Sequence, residues 1–199
     1  GDQMKAGTKR LSTFLATIPK LSYADRENPI SFVDVPASNA LVATVIAKRD
    51  NNEIATAIIN KMAWINKIIA ANGLQANGPM RIVTSEQGRS TYTFDVAVPV
   101  RKAGAVEGAP VDGPLTGLSL QGPVKYELRP AHRTVAAKFT GYIRELEHVR
   151  NALRAWSLPR GYEVVDRPYE VYNSGIAGAF QASDCSTLAM MLRCSSTAP

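Results

Sequence analysis

Apolar positions recur at helical spacing in two stretches of the chain and alternate at strand spacing around each of them. Ile54, Ile58, Met62, Ile65 and Ile69 follow a run of capping residues, Asp50-Asn51-Asn52, and stop at Asn72-Gly73. Tyr142, Ile143, Leu146, Val149, Leu153 and Trp156 form a second stripe, ended by Pro159 and Gly161. Each stripe predicts a helix whose apolar face packs on a sheet. Strand signals flank both. Met80 to Ser85, a turn at Gln87-Gly88 and the alternating stretch Ser90 to Val100 follow the first helix. Tyr169 to Tyr172, a Gly-containing loop and Thr187 to Leu192 follow the second.

The two halves resemble one another. Val33-Asp34-Val35-Pro36-Ala37 leads into the β-branched run Ala40 to Ala47, and Tyr126 to Ala131 leads into Thr134 to Phe139. Placing Pro36 on Pro130 aligns Leu41 with Val135, Ala43 with Ala137 and Val45 with Phe139. The pattern predicts an α+β protein made of a duplicated βαββ module. It has two antiparallel sheets with one long helix each, a pseudo-twofold axis and a central groove. Repeat one spans residues 29–100, a Gly- and Pro-rich connector 101–123, and repeat two 124–194, within a domain 29–199. Residues 1–28 precede it as a separate polar segment. The longer run between turn and next proline in repeat one predicts that its helix is the longer.

Composition narrows the class. The 199 residues are 45% hydrophobic and 20% charged, too apolar for disorder, and no run of about 20 apolar residues suits a membrane helix. These features predict a soluble globular protein. The net charge of +6 comes from dispersed residues, the densest groups being pairs such as Lys9-Arg10 and Lys48-Arg49. Dispersion of this kind argues for solubility charge and against nucleic-acid binding. The start Gly1-Asp2-Gln3 reads as a tag scar or as a mature end left after a leader is removed. Cys185 and Cys194 are spaced to close a small loop as a disulfide, or are two unrelated thiols. Start and cysteines together predict an envelope or periplasmic location, with the cytoplasm as the alternative. Two Cys and the separated His132 and His148 lack metal-ligand spacing, so neither metal nor cofactor is expected.

The run Val124 to Tyr142 resembles the strand-turn-strand of the gyrase-inhibitor-like effector-binding domains, a duplicated SHS2-type module also attached to AraC-type and MerR-type regulators. Gly141-Tyr142 matches the family's Gly-Tyr before the helix, Trp156 its late helical Trp, and Pro168-Tyr169-Glu170-Val171-Tyr172 its Pro-x-Glu-x-Tyr strand. The resemblance extends over about Asn28 to Cys194. It implies a groove for amphipathic, often cationic, small molecules, held by aromatic faces and a buried carboxylate. The family's acid after Thr on the last strand is absent here, where Thr187 is followed by Leu188. That departure predicts a preference for neutral over cationic ligands.

Candidate groove residues follow from the same comparison. Tyr142 lies at the groove mouth in relatives, or packs as a helix-start core residue. Glu170 and Tyr172 share one strand face, with Tyr169 on the other. Asp95, between Phe94 and Val96, is the first repeat's acid, and a solvated position is the alternative for both acids. Trp64 and Trp156 lie on the two helices, Trp156 on the apolar stripe, where core packing is expected, and Trp64 off it beside Ile65 and Ile68.

The leading functional expectation is a non-enzymatic small-molecule-binding domain without a DNA-binding module. The alternatives are a hydrolase of small electrophiles using Glu170 or Asp95 with Tyr142, and a haem protein using His132 or His148.

Overall fold

The computed structural model describes residues 30–106, 111, 113–139, 146–173 and, as backbone pairing alone, 188–196. Tyr142, Cys185 and Thr187 lie outside these residues, as does the side chain of Cys194.

The first helix begins where the capping signal predicts. Asp50 accepts hydrogen bonds from the backbone N–H groups of Asn52 (3.0 Å) and Glu53 (3.1 Å), satisfying two orphan donors of α1, Asn51–Ala71. Asn72 ends it, its backbone N–H bonding the Ile68 carbonyl. The described part of the second helix, α2, is Leu146–Ser157, closed by a 3₁₀ turn at Leu158–Arg160 before Gly161. No helix among the described residues is long and apolar enough to cross a membrane.

The strands are β1 Ser31–Val35, β2 Ser38–Lys48, β3 Leu74–Ala76, β4 Arg81–Gln87, β5 Thr91–Lys102, β6 Val124–Arg129, β7 His132–Phe139, β8 Tyr162–Val164, β9 Tyr169–Tyr172 and β10 Leu188–Ser196. The order along the sheet is β1-β7-β10-β9-β4-β5-β2-β6, with β3 added on β5 and β8 on β10, and every pairing is antiparallel. Two antiparallel half-sheets thus meet where β9 pairs with β4, in register Arg81–Val171, Ile82–Glu170 and Val83–Tyr169. The strands before and after each Pro-Ala turn do not pair with one another. Instead β1 pairs with β7 and β6 with β2, so each half-sheet takes its outer strand from the other half of the sequence.

Alternation along the strands separates two sheet faces. One carries Leu41, Ala43 and Val45 of β2, Phe94, Val96 and Val98 of β5, Ile82 of β4 and Val135 of β7. Both helices cover this face and complete one continuous core with Ile58, Ile65 and Ile68 from α1 and Leu146 and Leu153 from α2. Helix α1 packs on β2, β3, β5 and β6, and α2 on β7, β8 and β10. The central strands β4 and β9 lie between the two helices. The opposite face carries a smaller cluster of Ala40, Val42, Val83, Ala97, Tyr169 and Val171.

Two substitutions measure these forces. Asp50→Ala should cost about 1 kcal/mol by removing the cap, whereas Ile65→Ala, at a fully buried position, should cost roughly 2–5 kcal/mol. Urea unfolding midpoints compared with the unsubstituted protein check both.

Candidate functional site

A cavity of about 210 Å³ opens above the β4–β9 junction, between the N-terminal ends of the two described helices. Its floor is the helix-facing side of the sheet: Ile82, Phe94, Glu170 and Tyr172 are buried there, and Tyr92 is half-buried. Ile54 and Ile58 of α1 form one wall, and Leu146 and Arg150 of α2 the other. Arg49, Asn51, Gln87 and Glu147, all exposed, form the rim.

A polar network crosses the floor. Arg150 Nε donates to Glu170 Oε1 at 2.8 Å, and Arg150 Nη2 donates to the same oxygen. Nη2 also donates to Thr84 Oγ1 (2.9 Å) and Nη1 to Gln87 Oε1 (3.1 Å), while Thr84 and Tyr92 share a 2.8 Å hydrogen bond. Glu170 is 1% exposed, and its Oε2 finds no partner among the described residues. Burial pushes the Glu170 carboxyl above its ordinary value, with Arg150 pulling the other way. Burial works against the Arg150 charge, but Glu170 and Tyr92 together outweigh it and hold the guanidinium protonated. Burial, reinforced by Glu170, also pushes the Tyr92 phenol up.

A one-residue irregularity makes this network possible. The β4–β5 register runs Thr84–Phe94 and then Glu86–Thr93, leaving Ser85 bulged. Without that bulge Gln87 would fall on the face of Arg81 and Val83. With it, Gln87 pairs with Tyr92 on the helix side and reaches Arg150.

The candidate residues from the sequence distribute unevenly. Glu170 and Tyr172 line the cavity together. Asp95 is buried on the opposite face, accepting from Thr44 Oγ1 (2.7 Å) and pairing with Arg167 (2.7 Å), because its neighbours Phe94 and Val96 take the helix side. Trp64 is 39% exposed on α1, with the Lys67 ammonium 5.2 Å from its ring and the connector passing over it at Gly122. A Cβ at Gly122 would stand 2.7 Å from the Trp64 ring, and the φ of +65° also favours glycine. Trp156 packs edge-on against Phe32 (5.5 Å) and under the Arg160 guanidinium (4.2 Å), away from the cavity. Both ring nitrogens of His132 are engaged, Nδ1 with the Pro130 carbonyl (3.0 Å) and Nε2 with the Tyr169 hydroxyl (3.2 Å). His148 is exposed on α2. Among the described residues no cluster of three His, Cys, Asp or Glu could hold a metal.

Arg150, Thr84, Gln87 and Tyr92 were not singled out by the sequence. Arg150 could have been. It stands four residues after Leu146 and three before Leu153, inside the apolar stripe, where a charge requires a buried partner.

On the other sheet face Tyr169 is buried beside a second hollow bordered by Arg129, His132 and Arg167. Burial pushes its phenol up to about 12, against the pull of Arg81 and Arg129.

No protein-family model and no curated protein sequence matches the chain. Solved structures do. EcmrR in complex with DNA, within EcmrR-RPo, matches at 15% identity and a TM-score of 0.67, over 98% of this chain and 67% of that one. The crystal structure of the EcmrR C-terminal domain matches at 14% identity and 0.59, over 84% and 96% of the two chains. A hydrolase from Listeria innocua matches at 12% identity and 0.55, over 83% and 91%. At these identities the likeness shows the fold alone, a mixed α+β fold shared with these structures.

Two expectations follow from the charges. Arg150→Ala strands Glu170 in the core and should destabilise the protein by roughly 3–5 kcal/mol, while Arg150→Met combined with Glu170→Gln should cost much less. Thermal or urea unfolding of the three proteins distinguishes them. Tyr169 has a folded pKa above its unfolded value near 10.0, so its contribution is intact below pH 10 and lost as pH rises towards about 12. Tyr169→Phe should therefore lose less stability than the unsubstituted protein over that interval, by roughly 2–3 kcal/mol in unfolding free energy.

Proposed function

We propose that this chain is a non-enzymatic binding domain for small amphipathic molecules, and that the ligand enters the cavity between the two helices. The observation that carries the reading is the cavity's construction: apolar walls from α1 and α2 close over a buried, hydrogen-bonded ion pair at the sheet's centre. Apolar walls with few convergent polar groups are the usual make-up of a ligand site. The effector-binding-domain fold of the neighbours agrees with this use.

The same picture supports a duplicated module, repeats 29–100 and 124–194 joined by the connector. Exchanging β1 with β6, β7 with β2, β10 with β5 and β9 with β4 leaves the strand order unchanged. Tyr142 belongs to the proposed mouth by resemblance.

Hydrolysis is the less favoured reading, although neighbours from Listeria innocua are described as hydrolases. A general base must be within reach of the proton it takes, and the cavity's buried carboxylate is already held by Arg150. Haem ligation is less favoured still, because His132 is bonded through both nitrogens and neither histidine lines the cavity. The dispersed basic residues argue against a nucleic-acid partner.

Screening one- and two-ring amphiphiles by thermal shift tests the proposal. Several should raise the unfolding temperature, a ligand at about 100 times its Kd adding about 2.7 kcal/mol. Ile54→Trp, which fills the cavity from its α1 wall, should abolish the shifts while the protein stays folded. A screen with no response, or shifts that survive Ile54→Trp, would contradict the proposal.

A further inference from the structure

A buried carboxylate beside a ring-sized cavity is a natural counter-charge for a cationic ligand, but here that position is already filled from within the chain. Arg150 places two N–H groups on Glu170 Oε1 and is fixed on its other sides by Thr84 and Gln87. Its side chain is 9% exposed and that of Glu170 1%. At hydrogen-bond distance the guanidinium cancels most of the carboxylate's field, and it repels any second cation brought within a few ångströms. Displacing it would break all of these hydrogen bonds and leave a buried charge to be solvated afresh. The rim adds no net attraction, since Arg49 and Glu147 oppose one another.

One acceptor of the pair lacks a partner among the described residues. Glu170 lines the cavity, and Oε2 is buried with no partner among the described residues. An ionised carboxylate can only accept, so what satisfies it must donate.

We infer that Arg150 is a tethered counter-ion, and that the cavity selects neutral amphipathic molecules whose hydroxyl or amide N–H donates to Glu170 Oε2, discriminating against permanent cations. This deepens the proposed function and rests on the cavity being a ligand site. The selectivity lives in α2, and it differs in origin from the missing acid beside Thr187: the acid is present on β9, and its charge is neutralised by a neighbour.

Three probes of one shape separate the components: naphthalenemethanol, its methyl ether, and naphthylmethyl-trimethylammonium. Calorimetric titration of the full chain should show the alcohol binding at least about tenfold more tightly than either of the others. In Arg150→Met, which keeps the length of the side chain and removes its charge, the order should reverse in favour of the cation. Adding Glu170→Gln to that variant should abolish the gain. Far-ultraviolet circular dichroism checks that each variant is folded, and if Arg150→Met is not, the alcohol-to-cation ratio of the unsubstituted protein decides alone. Equal or tighter binding of the cation by the unsubstituted protein overturns the inference. So does a folded Arg150→Met that gains no affinity for it. Equal binding of alcohol and ether removes the donor requirement and overturns that part of the assignment. If no probe binds either protein and the wider amphiphile screen is also silent, the ligand-site reading fails and this inference falls with it.

Discussion

Three backbone pairs between β4 and β9 join the two half-sheets, and a single side chain from α2 fastens that junction from above. The pairing Ile82–Glu170 puts a carboxylate at the centre of a largely apolar face. Left alone, a buried carboxylate costs several kcal/mol, and a cation brought to hydrogen-bond distance offsets much of that cost. Arg150 supplies that charge and, through Thr84 and Gln87, ties β4 to β9 a second time. Backbone bonds from Thr84 to Pro168 and from Tyr172 to Met80 extend the junction at its ends. Arg150 thereby links α2 to the first half of the sheet at the edge of the cavity.

The rest of the architecture leaves room for that arrangement. Each helix covers the outer strands of its own half-sheet, and the central strands β4 and β9 lie under the gap. Strand alternation then assigns chemistry to faces. Glu170 and Tyr172 look towards the helices, while Asp95, Arg167, Tyr169 and His132 form a separate polar group behind the sheet. Among the described strands the Ser85 bulge breaks the alternation, and it delivers Gln87 to the Arg150 side.

Much of this was legible in the sequence. Asp50 and Asn72-Gly73 bracket α1, and the Pro-Ala turns separate β1 from β2 and β6 from β7, because caps and prolines act through local backbone chemistry. The period-two placement of Glu170 with Tyr172 was readable for the same reason. What escaped was non-local. Nothing in the chain marks that β1 crosses to β7 and β6 to β2, since a strand's side-chain pattern says which face is buried and not which neighbour it meets. The three-residue strands β3 and β8 are too short to show a period. Asp95 looked like a groove acid by its position in repeat one, yet a single step of alternation puts it behind the sheet. Arg150 lies within the apolar stripe of the second helix, where its charge demands a buried partner, but the stripe does not say that the partner is Glu170.

The central claim is that ligand and ion pair share the space above the β4–β9 junction. Nuclear magnetic resonance of the isotope-labelled protein, titrated with a bound amphiphile, tests it most directly. The account predicts that the Arg150 Nε–H signal and the methyl groups of Ile54, Ile58 and Ile82 shift together and saturably. The indole N–H signals of Trp64 and Trp156, the only tryptophans in the chain, should stay in place. Saturable shifts at either indole with Arg150 and these isoleucines unmoved would contradict it.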